Sequence, residues 1–478
     1  MNDLELVRRF DRALFEDYRL ARSYCLDVPT YALVHLRSVA HRLTSALGSR
    51  FAIEFRSKNL YDRIEQLARA KRMDMRLARK LHKLRNEGNK GAHPEKYRLT
   101  PEQLVQLAAK CVKDAARLCA ELYPLLLDSP TPHWQFEPVD AEAGRELCYR
   151  AVMEDDAEAQ YLVGLSLKSR ALMQRERAQS FALANDSDTV DLGASLKVLK
   201  QAAYWFERGA QSHPGARFEH GVALLHGYAG HSDTTRALEL IEAAASAGVA
   251  DAQALLGYFY QTGSHGYHAD PLKARHLLKA AAEQDQSEAM ANLAVLYYQG
   301  ALGQSDLPRA RHFALQGAQA GYPHAQYQLA VMLLAGEGGE VDLEQGLQWL
   351  QAAAEQHYPE ALADLAQRKL DGDGVEASPA SAAALYREAI RYGRLPRAMF
   401  ELAMALFDGE VPDRDLNEAA RLLHLAYRYA VPGSELALAI WHTAPELVGQ
   451  LEGQATLAAG RALFDAEGHP LRVDDALA

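Results

Sequence analysis

Two consecutive stretches decide the fold of this chain: AQALLGYFYQTG at residues 252–263 and DPLKARHLLKAAAEQ at residues 270–284. Both place apolar residues three and four positions apart, the spacing that covers one face of an α-helix. Gly263 is suited to end the first helix, because glycine adopts the left-handed conformation without steric penalty. Asp270 is a favourable N-cap for the second. The two stretches therefore predict a helix–turn–helix module.

The same module recurs along residues 157–432. An alanine is followed five residues later by glycine or alanine in seven places, which begin at Ala159, Ala216, Ala252, Ala289, Ala325, Ala361 and Ala398. These alanines are 57, 36, 37, 36, 36 and 37 residues apart, so an insertion at about residues 170–198 lengthens the first repeat. The sequence thus predicts seven helical repeats that stack on their neighbours.

When the repeats are aligned, two further equivalent positions, here called columns, mark the turn inside each repeat. Glycine stands eleven residues after the first alanine in six repeats, where it predicts the end of the first helix. An N-cap follows about six residues later and predicts the start of the second helix. The glycines are Gly227, Gly263, Gly300, Gly336, Gly372 and Gly409, and the caps are Asp233, Asp270, Asp306, Asp342, Ser378 and Asp415.

This pattern closely resembles the Sel-1-like repeat, a helix–turn–helix relative of the tetratricopeptide repeat. The resemblance implies a right-handed α-solenoid whose first helices line a groove, in a family of adaptors and scaffolds. We therefore expect a non-enzymatic protein that binds a protein partner through the solenoid surface. A subgroup with a disulfide in every repeat is excluded, since no cysteine follows Cys148.

Aromatic residues in the repeats are the candidate contacts. Tyr260 and Tyr297 occupy a column that leucine fills in other repeats, which predicts that they are core residues. Tyr258 and Tyr298 lie outside that column and are the groove candidates. The histidines near the inter-helix loops lack metal-ligand spacing, and no P-loop, dinucleotide fingerprint or nucleophile elbow is present. We expect neither a metal nor a cofactor.

Residues 1–130 do not follow the repeat and predict a compact helical bundle. Helical patterns cover about residues 3–24, 30–47, 60–70, 74–86 and 101–126. The last begins with Thr100, Pro101 and Gln103, the pattern of a capping box with proline at the first helical position.

One string in this bundle, LHKLRNEGNKGAHP at residues 81–94, follows LYDRIEQL at residues 60–67. Together they resemble a helical domain of unknown function found in type I restriction endonuclease subunits and grouped with the HEPN superfamily. That resemblance implies a metal-independent ribonuclease as the alternative function, with Arg85, Asn89 and His93 as catalytic residues and a dimer interface near them. Seven residues separate Arg85 from His93, more than in active HEPN nucleases. A structural role, in which Gly88 ends a helix and Asn89 and His93 bond the following loop, and a non-catalytic phosphate contact also stay open.

Charge divides the chain. Residues 1–130 contain 25 Lys and Arg against 16 Asp and Glu, a balance of +9, whereas the remainder has a balance of −20. Six basic residues recur at helical spacing and predict a basic stripe on one helix: Arg69, Arg72, Arg76, Arg79, Lys80 and Lys83. The stripe is either an ordinary solvated face or a site for nucleic acid, an acidic protein or the chain's own acidic solenoid.

The remaining expectations concern domains and location. The predicted organisation is a bundle at 1–130, a proline-containing linker at 131–156, repeats at 157–432 and capping helices at 433–478. Four cysteines, all in the first third, are expected to be reduced and mostly buried. The chain has no apolar run long enough for a membrane helix, and its start is unlike a signal peptide. We expect a cytoplasmic, bacterial protein without membrane contact, and a homodimer through the bundle is left open.

Overall fold

The computed structural model describes residues 1–71, 73–92, 99–139, 143–184, 192–412, 414–451, 463–465 and 467–470. Within these ranges the chain forms 22 α-helices and no β-strand, so the all-α prediction is confirmed. The chain divides into two compact units, Met1–Ala325 (unit 1) and Gln326–Ala478 (unit 2).

Six helices form the bundle at the start of unit 1. They are α1 (Asp3–Val7), α2 (Arg12–Tyr24), α3 (Pro29–Arg50), α4 (Leu60–Arg69), α5 (Met75–Ala92) and α6 (Pro101–Leu127). Helix α3 packs against α2, α5 and α6, and buried side chains such as Leu14, Leu36, Leu81 and Val112 fill the space between them. Burial of this apolar surface stabilises the bundle.

Capping explains two boundaries in the bundle. The predicted capping box is present, with the Gln103 N–H donating to Thr100 Oγ1 at 3.2 Å and the Thr100 N–H donating to Gln103 Oε1 at 2.7 Å. The helix expected over residues 3–24 is instead two helices. Asp11 ends the first pattern because its carboxylate accepts the N–H groups of Ala13 and Leu14, both at 2.9 Å, as the N-cap of α2.

The stretch predicted as a linker, residues 131–156, contains a helix, α7 (Ala143–Met153). Leu147 and Ala151 of α7 are buried in one apolar cluster with Tyr24, Val28 and Leu162. These residues therefore attach the helix to the bundle and to the first repeat.

The remaining helices of unit 1 form the first four repeats. They are α8 (Ala157–Ala184), α9 (Gly193–Gly209), α10 (Pro214–Leu225), α11 (Thr234–Ser246), α12 (Ala250–Thr262), α13 (Pro271–Ala282), α14 (Ser287–Tyr298) and α15 (Leu307–Gln319). Helix α8 continues for four turns beyond the position of Arg170, where the other repeats have glycine. The insertion therefore lengthens a helix, since nothing at that column ends it.

Unit 2 continues the same alternation. Helix α16 (Pro323–Ala335) spans the division between the units, and the others are α17 (Leu343–Glu355), α18 (Pro359–Asp371), α19 (Pro379–Gly393), α20 (Pro396–Asp408), α21 (Leu416–Tyr429) and α22 (Glu435–Leu451). Ile440 of α22 is buried in the same cluster as Leu423 of α21. The rest of the predicted C-terminal cap falls mainly on residues 452–462 and 471–478, outside the described residues.

The predicted turns of the repeats are confirmed. All six column glycines have positive φ, from +65° at Gly227 to +77° at Gly409. The five aspartates of the cap column each accept a main-chain N–H at the start of the second helix, whereas Ser378 is an N-cap without such a side-chain bond. The glycine or alanine five residues after the first alanine of each repeat lets a neighbouring helix approach closely. At Gly257 a Cβ atom would lie only 2.8 Å from Leu278 Cγ.

Candidate functional site

Helix α5 contains the residues of the HEPN-like string. It runs without interruption to Ala92, so the expectation that Gly88 ends a helix is wrong. A Cβ atom on Gly88 would lie 2.7 Å from Arg37 Cβ and 2.9 Å from the Leu33 carbonyl oxygen, both on α3. Gly91 is equally crowded by Thr30 of that helix. The glycines are present because α5 and α3 cross in close contact, not because the chain turns.

Arg85 is buried where α5 meets the repeats, with 1% of its surface exposed. Its Nη2 donates to the main-chain carbonyl oxygen of Gln319 at 2.7 Å and to Asn86 Oδ1 at 2.8 Å. The guanidinium lies 5.1 Å from the ring centre of Tyr61, within cation–π range. Burial lowers the pKa of this guanidinium, because desolvation disfavours the charged form. Nε and Nη1 have no hydrogen-bond partner among the described residues.

Asn89, one helical turn beyond Arg85, lies at the same contact. Its Nδ2 is 3.4 Å from the carbonyl oxygen of Ala320, and its Oδ1 accepts a hydrogen bond from Arg37 Nη1 at 3.2 Å. Arg37 Nη2 also donates to the carbonyl oxygen of Gln284 at 2.7 Å. The structure therefore brings Arg85 and Asn89 together on the solenoid. His93, the third candidate, and the loop at residues 93–98 lie outside the described residues, so the bonds of Asn89 and His93 to that loop stay a prediction.

These contacts have a common electrostatic basis. The acceptor carbonyls of Gln284, Gln319 and Ala320 stand at the C-terminal ends of α13 and α15, where main-chain carbonyls lack helical partners and the helix dipole is negative. Cationic and amide donors from the bundle satisfy them. We call the contact between α3, α4 and α5 and these helix ends the docking interface.

Asp285 completes the docking interface with the opposite polarity. Its two carboxylate oxygens both lie 3.3 Å from the N–H of Leu60, the first residue of α4. A carboxylate is favourable there because the N-terminal end of a helix is positive. Asp285 is buried and has a φ of +63°, in the left-handed region.

Side chains of α4 and α15 extend the docking interface. Gln319 Nε2 donates to the Tyr61 hydroxyl oxygen at 2.6 Å, and Gln316 Nε2 donates to Asp62 Oδ2 at 3.3 Å. Tyr61 therefore accepts a hydrogen bond from Gln319 while its ring contacts Arg85. The bundle and the fourth repeat are joined through both main-chain and side-chain atoms.

The predicted basic stripe does not lie on one helix. Arg69 ends α4, whereas Arg76, Arg79, Lys80 and Lys83 lie on α5. Arg72 lies outside the described residues. Helical spacing continues across the turn after Arg69, so spacing alone does not separate α4 from α5.

The lysines and arginines of the stripe differ in their surroundings. Lys80 forms an ion pair with Glu121, and Lys83 Nζ lies 2.9 Å from Asp114 Oδ2, both on α6. The hydrogen bond to Asp114 raises the pKa of Lys83. Arg76 and Arg79 are exposed and have no carboxylate within ion-pair distance among the described residues. The lysines thus hold α5 on α6, and the two arginines face solvent.

The four tyrosines of α12 and α14 separate as the sequence predicts. Tyr258 on α12 and Tyr298 on α14 are 44% and 43% exposed. Tyr260 and Tyr297 are half-buried against apolar clusters of these repeats. Exposure makes Tyr258 and Tyr298 available for contact, and their role stays a prediction.

Three of the four cysteines are buried and all four are reduced. Burial raises the pKa of the Cys25 thiol to about 11 and that of the Cys119 thiol to about 12. Among the described helices, none is long and apolar enough to cross a membrane. The described part of the chain also contains no group of three or more His, Cys, Asp or Glu arranged to hold a metal ion.

The sequence reasoning missed Arg37, Asp285 and Gln319, which build the docking interface with Arg85. Asp285 carried a signal. It occupies the left-handed position after the second helix, where the neighbouring repeats have Gly248 and Gly321. The later repeats have His357 and Arg394 at this position, also with positive φ, so the acidic side chain of Asp285, and not the loss of glycine alone, distinguishes this repeat.

Paired helices recurring every 36 or 37 residues define the class of protein: an α-solenoid that begins with a helical bundle. The Sel1 repeat family matches seven segments, at residues 191–213, 214–249, 250–286, 287–322, 323–358, 359–391 and 396–428. The chain therefore contains seven Sel1 repeats. Its first match begins after the insertion, at the second helix of the first repeat. A domain of unknown function, DUF4145, matches residues 19–125.

Comparison with other proteins gives the following similarities. No curated protein gave a significant match. A Sel1 repeat protein from Oxalobacter formigenes is 21% identical, with 51% of this chain and 90% of that chain covered and a TM-score of 0.42. The protein c5321, a protective antigen of uropathogenic Escherichia coli strains with an SLR fold, is 17% identical, with 97% and 93% covered and a TM-score of 0.49.

Proposed function

We propose that this protein is a non-enzymatic adaptor that binds a protein partner through its solenoid. The observation that carries the proposal is the array of seven Sel1 repeats, since Sel1 repeat proteins are generally scaffolds. Stacked helix pairs bury their small and apolar columns against each other and leave a long surface of exposed side chains. Such a surface suits recognition of another protein.

Tyr258 and Tyr298 are the first contact residues to test. Both are exposed, and tyrosine is enriched at protein interfaces because it offers a large apolar ring with a polar hydroxyl group. They belong to the first helices of consecutive repeats, α12 and α14, the helices that line the groove in the predicted solenoid.

The N-terminal bundle has a supporting role in this proposal. Arg85, Asn89 and Arg37 donate to carbonyl groups at the ends of α13 and α15, which supports a docking role for residues that the HEPN resemblance would make catalytic. Docking fixes the orientation of the bundle on the third and fourth repeats. The surface of the bundle and the surface of these repeats are then available to the partner in a fixed arrangement.

The ribonuclease alternative is the weaker proposal. A phosphate-binding arginine needs its guanidinium free to meet the substrate, whereas Arg85 is buried and bonded to Gln319. Nucleic-acid binding without catalysis would depend on the exposed Arg76 and Arg79.

Affinity purification from the native host tests the adaptor proposal. Full-length tagged protein should retain a partner in a fixed ratio, and Y258S/Y298S should reduce that retention. The matched control is Tyr429→Ser, which removes another exposed tyrosine, 46% accessible, from α21. Circular dichroism checks that all variants remain folded.

The outcome that contradicts the tyrosine assignment is equal retention by wild type and Y258S/Y298S. Absence of any protein retained in a fixed ratio would contradict the adaptor proposal itself.

A further inference from the structure

A groove in unit 1 is formed by the second helices of two consecutive repeats, α13 and α15, with α14 between them. Its volume is about 760 Å³. Leu293 and Tyr297 of α14 and Phe313 of α15 form an apolar floor. This volume is within the range of sites that enclose a small ligand or a few side chains.

Two aromatic rings give the floor its shape. The rings of Tyr297 and Phe313 are parallel within 3°, with centres 5.6 Å apart. The guanidinium of Arg309 lies 5.7 Å from the ring centre of Tyr297. Both rings are half-buried, so part of each is accessible from the groove.

The rim of the groove is cationic. Arg275 and Lys279 of α13 and Arg309 of α15 are exposed around it. Arg309 pairs with Asp306 at 3.3 Å. Arg275 and Lys279 have no carboxylate within ion-pair distance among the described residues, and they lie on one face because they are four positions apart.

The acidic side chain in the groove lining is already paired. Glu283, the one acidic residue in the groove lining, lies 3.2 Å from Lys58 Nζ of the bundle. The groove therefore has two uncompensated positive charges within a part of the chain whose overall balance is −20. A local excess of this kind attracts a ligand of opposite charge.

We propose that this groove binds a short acidic segment of a protein partner. Carboxylates of the segment pair with Arg275 and Lys279, and an apolar or aromatic side chain lies on Tyr297 and Phe313. The inference rests on the proposed adaptor function and specifies where one contact is made and its chemistry.

Two observations favour an acidic peptide over a nucleic acid. Among the described residues, the groove has two unpaired cations only one helical turn apart beside an apolar floor, which suits a short peptide with one or two carboxylates better than the many regularly spaced phosphates of a long polyanion. The apolar floor can also bind an apolar side chain that stands next to acidic residues in a peptide. A single-stranded nucleic acid is kept as the competing ligand in the test.

The test uses full-length protein and a displayed library of random dodecapeptides. Enriched peptides should be net acidic with at least one large apolar residue. Their affinity, measured by fluorescence anisotropy, should fall about fivefold or more in R275Q/K279Q, because two ionic contacts are lost. The matched control K197Q/K200Q removes the same charge from exposed positions of α9 and should bind as wild type does.

Three results overturn the inference. The first is that the library yields neutral or basic peptides, or no enriched peptide at all. The second is that acidic peptides bind wild type and R275Q/K279Q equally. The third is that a labelled oligothymidine binds better than the enriched peptides and that this binding depends on Arg275 and Lys279. If peptides bind the solenoid independently of Arg275 and Lys279, the groove is not the binding site, but the proposed adaptor function still holds.

Discussion

Arg85 Nη2 donates to the carbonyl oxygen of Gln319 across 2.7 Å, although 234 residues separate the two in the chain. Arg85 belongs to the bundle and Gln319 ends a helix of the fourth repeat. This bond joins a cationic donor to a helix C-terminus, an arrangement favoured by the helix dipole. It explains how a basic domain is held on an acidic solenoid.

Substitution of Arg85 measures the docking interface. Arg85→Ala should lower the free energy of unfolding of unit 1 by about 2–4 kcal/mol, since it removes the bond to Gln319 and leaves a cavity. Arg85→Met should cost about half as much, because it fills the space and removes two buried donors without partners. Urea unfolding measures both, and Arg76→Ala, at an exposed site, should change stability by less than about 0.5 kcal/mol. Equal values for Arg85→Ala and Arg76→Ala would contradict docking.

Two helical glycines provide a second test, of the close crossing of α3 and α5. Gly88→Ala should destabilise the protein by about 1–3 kcal/mol, because its Cβ would overlap Arg37 and the main chain of α3. Gly449→Ala in α22 has no atom of the described residues within 4 Å of the added Cβ and should stabilise its helix by about 0.5–1 kcal/mol. Thermal unfolding of both variants measures the difference. A stabilising Gly88→Ala would mean that the two helices do not cross so closely.

The repeats could be predicted because local chemistry determines them. Gly263 ends a helix and Asp270 starts the next one regardless of what lies elsewhere, so the sequence alone places both boundaries. The same local reasoning failed at Gly88. There the glycine is required by Arg37 and Leu33 of a neighbouring helix, 51 and 55 residues away in sequence, and periodicity contains no information on that contact.

The candidate site was predictable only in part for the same reason. Arg85 and Asn89 were identified from a resemblance, but their partners are carbonyl groups more than 230 residues away. Main-chain acceptors leave no pattern in a sequence. Asp285 was a partial exception, because it puts a carboxylate at a left-handed position that glycine occupies in the two neighbouring repeats.

His213 gives a pH prediction. Its Nδ1 accepts the N–H of Ala216 at 3.0 Å as the N-cap of α10, and burial lowers its pKa below the usual 6.5. As pH falls below 6.5, the unfolded chain binds the proton more readily than the folded one, so stability falls. Protonation also removes the acceptor. After correction for the intrinsic rate, the protection of the Ala216 amide against hydrogen exchange should therefore decrease as the pH is lowered from 7 to 5.5.

The variant His213→Asn separates titration from capping. Asparagine is a good N-cap that does not titrate in this range, so the pH dependence of exchange at Ala216 should shrink after correction for intrinsic rates. An unchanged pH dependence in His213→Asn would assign the effect to another group. His226, whose pKa burial also lowers, is the comparison site when changed to Asn.

The basic residues of α5 predict how any nucleic acid would bind. R76Q/R79Q should reduce retention of single-stranded RNA at low salt, and the slope of log affinity against log salt should decrease by about 1.4 for two lost phosphate contacts. K80Q/K83Q should reduce retention less, because these lysines pair with Glu121 and Asp114. If the two variants lose RNA retention equally, the ion pairs with Glu121 and Asp114 do not keep the lysines from binding RNA. Glutamine keeps the helix propensity similar in both.

RNA cleavage is the decisive test of the HEPN-like alternative. If Arg85 is a docking residue, single-stranded RNA incubated with the purified chain at neutral pH for hours should remain intact, because no exposed guanidinium from that position reaches a phosphate. His93→Ala should likewise leave RNA intact, which gel electrophoresis of labelled RNA checks. Cleavage by the wild type that disappears in a folded His93→Ala variant would contradict the adaptor proposal. Since contaminating nuclease would survive that substitution, the same comparison also identifies contamination.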